Sequence, residues 1–113
     1  MARIDYIDVD NATENVKRVF AGLPRPLNIF RLAAHAERCL RPLVGLGAAI
    51  LGKSKLDPRL RELAILQVAH LSGAQYEWTQ HEALALHVGA TSAEVLAIAE
   101  GRPVELPERA ARV

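Results

Sequence analysis

The sequence predicts an all-α domain of about six helices, spanning residues 1–113 as one unit, and three observations carry that prediction. Half of the 113 residues are apolar but only 4% are aromatic, so a core must be built from Leu, Ala, Ile and Val, and Leu and Ala favour helices. The apolar residues recur at helical spacing, with hardly any alternation of the kind that marks a strand. The breaks between the apolar runs carry helix-capping residues. No internal repeat, low-complexity segment or interdomain linker interrupts the chain.

Residues 1–10 intersperse Ile4, Tyr6, Ile7 and Val9 with Asp5, Asp8 and Asp10, and a lone segment of this length has no strand to pair with, so it reads as an extended arm. Asn11, followed three residues later by Glu14, has the form of a reciprocal N-cap. Val16, Val19 and Phe20 then give a first helix its apolar stripe, ending at Gly22. After Pro24 and Pro26, helical spacing resumes through Leu27, Phe30 and Ala34 in a second helix that ends near Cys39. Pro42 is placed to open a third, in which Leu43, Val44, Leu46, Ala48, Ala49, Ile50 and Leu51 leave no polar face. Such a helix should be buried on every side. Gly52-Lys53-Ser54-Lys55 reads as a polar turn.

Two central helices follow. Asp57 serves as N-cap with Pro58 at the first helical position, where its missing N–H loses no hydrogen bond, and apolar residues dominate as far as Leu71. Ser72-Gly73 breaks the run, a second helix starts at about Ala74, and Gly89 stands where a left-handed residue would close it. Thr91 with Glu94 makes another capping box, opening a short helix through Val95, Leu96, Ile98 and Ala99 to Gly101. In the tail, Pro107-Glu108-Arg109 has the look of a first helical turn that the chain scarcely continues.

A formal net charge of +1, with both signs interspersed, offers no basic tract for nucleic acid. The N-terminus lacks the apolar core of a secretory signal, and no apolar run approaches the roughly 20 residues that span a bilayer, so a cytoplasmic chain with no membrane partner is expected. Cys39, the single cysteine, cannot form an intramolecular disulfide and reads as a small buried hydrophobe. The chain is too short to cover an all-apolar third helix, so a homo-oligomer is expected.

Chemistry concentrates on the second central helix. Its stripe Ala74, Glu77, Trp78, His81, Leu84, Ala85 is apolar except for Glu77 and His81, one turn apart. A carboxylate beside an imidazole can orient the ring and fix its tautomer, which suits a general acid or base near neutral pH. Glu62 interrupts the preceding helix, and antiparallel pairing of the two would bring it toward His81. The structural alternative is that Glu77 and His81 form an ordinary surface pair and that Glu62 pairs with Arg59. Glu62, Glu77 and His81 are also residues of metal-ligating type. No His-Glu-x-x-His or Cys-x-x-Cys spacing supports a metal site, and none is assigned. His35, His70 and His87 read as structural, and Tyr76 and Trp78 as packing area.

The run Leu60-Arg61-Glu62-Leu63-Ala64-Ile65-Leu66, followed by Gly73-Ala74-Gln75-Tyr76-Glu77-Trp78 and His81, resembles the carboxymuconolactone decarboxylase family, which includes the alkylhydroperoxidase D-like proteins. Pro26-Leu27-Asn28-Ile29-Phe30 resembles the family's lead-in. The resemblance implies an all-helical fold assembling as trimers or hexamers, with active sites at or near subunit contacts. In the redox branch a Cys-x-x-Cys pair precedes the histidine matching His81, and here those two positions hold Ala74 and Glu77. A dithiol peroxidase needs one thiolate to attack and another to resolve, so the peroxiredoxin-type activity of that branch is not expected by this route. The resemblance implies instead a decarboxylase-like lyase acting on a small carboxylated lactone or related acid. His81 would be its acid/base with Glu62 and Glu77 in support, and no cofactor is implied. A non-catalytic helical oligomerisation module, or a residual peroxidase-like activity using Cys39, are the alternatives.

Overall fold

The computed structural model describes residues 3–106. Six α-helices make up most of it, and no strand occurs among the described residues. They are α1 (Glu14–Ala21), α2 (Asn28–Ala33), α3 (Glu37–Lys53), α4 (Pro58–Ser72), α5 (Gln75–His87) and α6 (Ser92–Ala99). The Pro107-Glu108-Arg109 turn lies outside the described residues. By its contacts the chain divides at Ser54/Lys55 into two compact units, each with its own core.

In the first unit Val16, Val19 and Phe20 of α1 pack with Ala34 and Leu40. The N-terminal arm is held along α2 by a reciprocal pair: the Ile7 N–H donates to the Arg31 carbonyl at 3.3 Å, and Arg31 Nε donates to the Ile7 carbonyl at 3.1 Å. His35, in the turn after α2, places Nε2 2.8 Å from the Asp5 carbonyl.

Several boundaries differ from the sequence reading. The N-cap of α1 is Thr13, whose hydroxyl accepts from the Val16 N–H, while Asn11 donates to Asp8 and closes a short 3-10 turn, Val9–Asn11. The second helix stops at Ala33, and α3 starts at Glu37 and runs through Cys39, Pro42 and the expected Gly52-Lys53 turn. Pro42 therefore lies inside a helix, where it withholds an N–H from the Arg38 carbonyl. Arg38 is exposed, so water can serve that carbonyl, and the Leu40–Val44 stripe packed into the core carries the helix across the proline. Cys39 is exposed, not buried. Nor is α3 buried all round: only Leu40 is fully covered, and Leu43, Leu46, Ile50 and Leu51 remain open, Leu46 at 58% exposure.

In the second unit α4 and α5 form an antiparallel hairpin with α6 packed against α4. Asp57 accepts from the Leu60 N–H at 3.0 Å, capping α4 with Pro58 at its first position. At the other end Gly73 takes φ +65°, a conformation that costs a residue with a Cβ about 1–2 kcal/mol. It lets the Gly73 and Ala74 N–H groups close on the His70 and Ala69 carbonyls, at 3.2 and 2.9 Å. The chain reverses there, and that reversal lays α5 back along α4. Gly89, at φ +101°, ends α5 in the same manner. Leu63, Leu66, Ala85, Ala90, Val95 and Ile98 form the core, with Trp78 and Val104 packed on it. Burying a side chain such as Leu66 or Ile98 contributes about 1.5–3 kcal/mol.

The capping box of α6 is present: the Thr91 hydroxyl accepts from the Glu94 N–H, and Glu94 accepts from the Thr91 N–H. Glu94 also pairs with Arg59, which ties the start of α6 to α4. Partial burial pushes the Glu94 carboxyl up, but the Thr91 backbone N–H and the hydrogen bond and charge of Arg59 outweigh it and hold the group below the ordinary glutamate range. Among the described residues no helix is long and apolar enough to cross a membrane.

Candidate active site

Glu62, on α4, faces α5 and is 0% exposed. A buried carboxylate is costly unless both oxygens find donors, and here both do. Arg61 Nε donates to Oε1 at 2.9 Å, and His81 Nδ1 lies 2.6 Å from Oε2. A carboxylate has no proton to give, so the hydrogen in the second contact belongs to Nδ1, and Nε2 is the nitrogen left to exchange protons. Nε2 points to the third predicted residue, Glu77, one turn earlier on α5, with Oε2 3.6 Å away. That is too long for a hydrogen bond, and it is an ion pair only when the ring is protonated.

The structure thus brings all three sequence-predicted residues together, in a line from the buried Glu62 through His81 to the 39%-exposed side chain of Glu77. The hairpin at Gly73 does the positioning, because antiparallel packing sets the second turn of α4 against the middle of α5. Arg59, the other partner considered for Glu62, pairs with Glu94 instead. Among the described residues no buried side-chain nitrogen or oxygen lacks a hydrogen-bond partner.

Arg61 was missed by sequence pattern. Successive helix residues point about 100° apart and do not normally share a face, so a search at spacings of three and four passes over it. The signal available was the burial itself, because a carboxylate inside an apolar hairpin needs more than one donor and its neighbour in sequence carries five N–H groups.

Beside Glu77 a groove of about 320 Å³ runs between α4 and α5, walled by Ala64, Ile65, Val68, Ala69 and Ala74. A wider depression of about 610 Å³ on a different face of α5 is lined in part by His70, Trp78, Glu82 and Ser92. Among the described residues no group of three or more His, Cys, Asp or Glu side chains is disposed to hold a metal ion. The positions Ala74 and Glu77 bring no thiol to the hairpin, and Cys39 sits on α3 in the first unit.

The sequence model of the carboxymuconolactone decarboxylase family matches residues 37–104, more than half of the chain. The chain belongs to that family. The match takes in Arg61, Glu62, Glu77 and His81, and with them the whole α4–α5 hairpin. The all-helical architecture fits the family's fold. Neither the curated proteins nor the solved structures gave a match.

Proposed function

We propose that this carboxymuconolactone decarboxylase family member is a cofactor-independent lyase of the non-redox branch, removing CO2 from a small carboxylated lactone or related acid by proton transfer at His81. The observation that carries the reading is the contact between a fully buried Glu62 and His81 Nδ1, which holds the ring in one tautomer with Nε2 on the reacting side.

In such a reaction the bond between the substrate carbon and its carboxylate breaks. CO2 leaves, and the electron pair delocalises into the adjoining carbonyl or conjugated system. Protonated His81 then donates from Nε2 to that carbon, and the ring regains its proton from water. Glu62 lies against one ring nitrogen and Glu77 near the other, so two carboxylates flank the ring that donates. The groove beside Glu77 offers apolar side chains, Ile65 and Val68 among them, against which the rest of a small substrate can lie.

The exposed apolar side chains Leu43, Leu46, Ile50 and Leu51 of α3 support assembly as a homo-oligomer, the trimer or hexamer that the family resemblance implies. A screen of carboxylated lactones and related unsaturated acids for CO2 release at neutral pH tests the reading. Release that depends on His81 is expected, and a folded protein that releases none across the panel contradicts it.

A further inference from the structure

Glu62 divides its two oxygens between two donors of different kinds. Oε1 faces the guanidinium of Arg61, and Oε2 faces the ring of His81. The side chain of Arg61 is 11% exposed and that of His81 15%, so little water reaches either contact to compete. A carboxylate held by a single hydrogen bond can turn about its last torsion, whereas one held at both oxygens cannot.

We propose that Arg61 is a positioning residue for His81: by anchoring Oε1 of Glu62 it keeps Oε2 on Nδ1, and so holds the imidazole in the orientation that presents Nε2 as the proton-exchanging atom. The inference rests on the reading of His81 as the acid/base for its meaning in catalysis, but the geometry can be tested without any substrate. Arg61 reaches His81 through Glu62. Arginine has donors only, so it dictates which atom of residue 62 must face it.

That property makes Glu62→Gln the decisive variant. With Arg61 as the anchor, the amide oxygen must turn to the guanidinium and the NH2 to His81. Nδ1 is then forced to accept, and the ring hydrogen moves to Nε2. Without such anchoring, nothing dictates which end of the amide meets His81, and both ring tautomers are populated. Nitrogen NMR on histidine-labelled protein, with His81 assigned by its loss in His81→Asn and read where the ring is neutral, distinguishes the two tautomers. The expected result is an Nδ1–H ring in the wild type, an Nε2–H ring in Glu62→Gln, and a mixture of the two tautomers in the Arg61→Met/Glu62→Gln double variant.

An Nδ1–H ring or a mixture of tautomers in folded Glu62→Gln overturns the proposal. Should that variant fail to fold, Arg61→Met and Arg61→Lys decide: the carboxylate keeps the ring Nδ1–H in both, so the readout is how firmly that hydrogen is held, and faster exchange of the Nδ1–H with water in the methionine variant than in the lysine variant supports the proposal, whereas wild-type exchange in Arg61→Met overturns it. Failure of the catalytic reading shows elsewhere, as undiminished turnover in His81→Asn, and would leave the inverted tautomer of Glu62→Gln standing as support for the anchoring.

Discussion

Replacing Glu62 by Ala should be the most damaging single change to the stability of the second unit outside its apolar core. The substitution removes the carboxylate that accepts from both Arg61 Nε–H and His81 Nδ1–H, on side chains 11% and 15% exposed, and leaves a hole between them. Breaking one side of a buried pair costs about 3–5 kcal/mol, and some entry of water into the vacated space puts the expected loss near the lower end, about 3 kcal/mol. Glu77→Ala provides the internal control. Its side chain is 39% exposed and 3.6 Å from Nε2, so screening reduces the pair to the surface value of about 0–1 kcal/mol. Urea unfolding at neutral pH and fixed protein concentration measures both. With a slope of about 1–3 kcal/mol per molar, Glu62→Ala should move the midpoint down by about 1–3 M and Glu77→Ala by a few tenths. Equal losses in the two variants, or a Glu62→Ala midpoint within experimental scatter of the wild type, would refute the account of Glu62 as the buried anchor.

Because the Glu94 carboxyl is depressed in the folded state, its contribution is fully present above the ordinary glutamate value of about 4.3 and is lost as pH falls through the lower folded value. Glu94→Gln should therefore be less stable at neutral pH and lose less on acidification from about pH 5 to 3, and an unchanged acid slope contradicts this. Leu66→Ala, at a fully buried core position, should cost about 2–5 kcal/mol in the same urea assay; a loss under 1 would show the core to be looser than described. With Ala74 and Glu77 at the thiol positions of the redox branch, no thioredoxin- or lipoamide-linked reduction of hydroperoxides is expected, and robust turnover in that coupled assay would be inconsistent with the non-redox assignment. Light scattering at micromolar concentration should report a homo-oligomer that Leu46→Glu, on the open face of α3, disrupts; a wild-type monomer would count against assembly through that face.

The second unit was far more legible in the sequence than the first. Asp57-Pro58, Gly73, the Thr91/Glu94 box and Gly101 are local signals whose backbone demands leave few alternatives, and each falls where an element of the structure begins or ends. The approach of Glu62 to His81 followed from them, because two helices joined by a tight glycine turn must pair antiparallel. In the first unit the local signals misled. Pro42 suits the start of a helix, but Leu40 and Val44 are one turn apart on either side of it, and their shared burial outweighs the lost hydrogen bond. Asn11 and Glu14 have the spacing of a cap, yet Thr13 satisfies the helix start directly and Asn11 turns to Asp8. The exposure of Cys39 and of the apolar side chains of α3 depends on how few elements the chain has to lay over them, which no local pattern records.

Turnover in His81→Asn separates the acid/base role of His81 from its role in packing. The asparagine amide can stand where Nδ1 stands and still donate to Glu62, so the buried carboxylate keeps both donors while the atom that exchanges protons, Nε2, is gone. Measured per folded molecule on a carboxylated lactone that the wild type decarboxylates, kcat should fall by about 10²–10⁴-fold, the usual contribution of a positioned general acid, with the urea midpoint close to that of the wild type. Wild-type turnover in that folded variant would contradict the assignment of His81 as the acid/base.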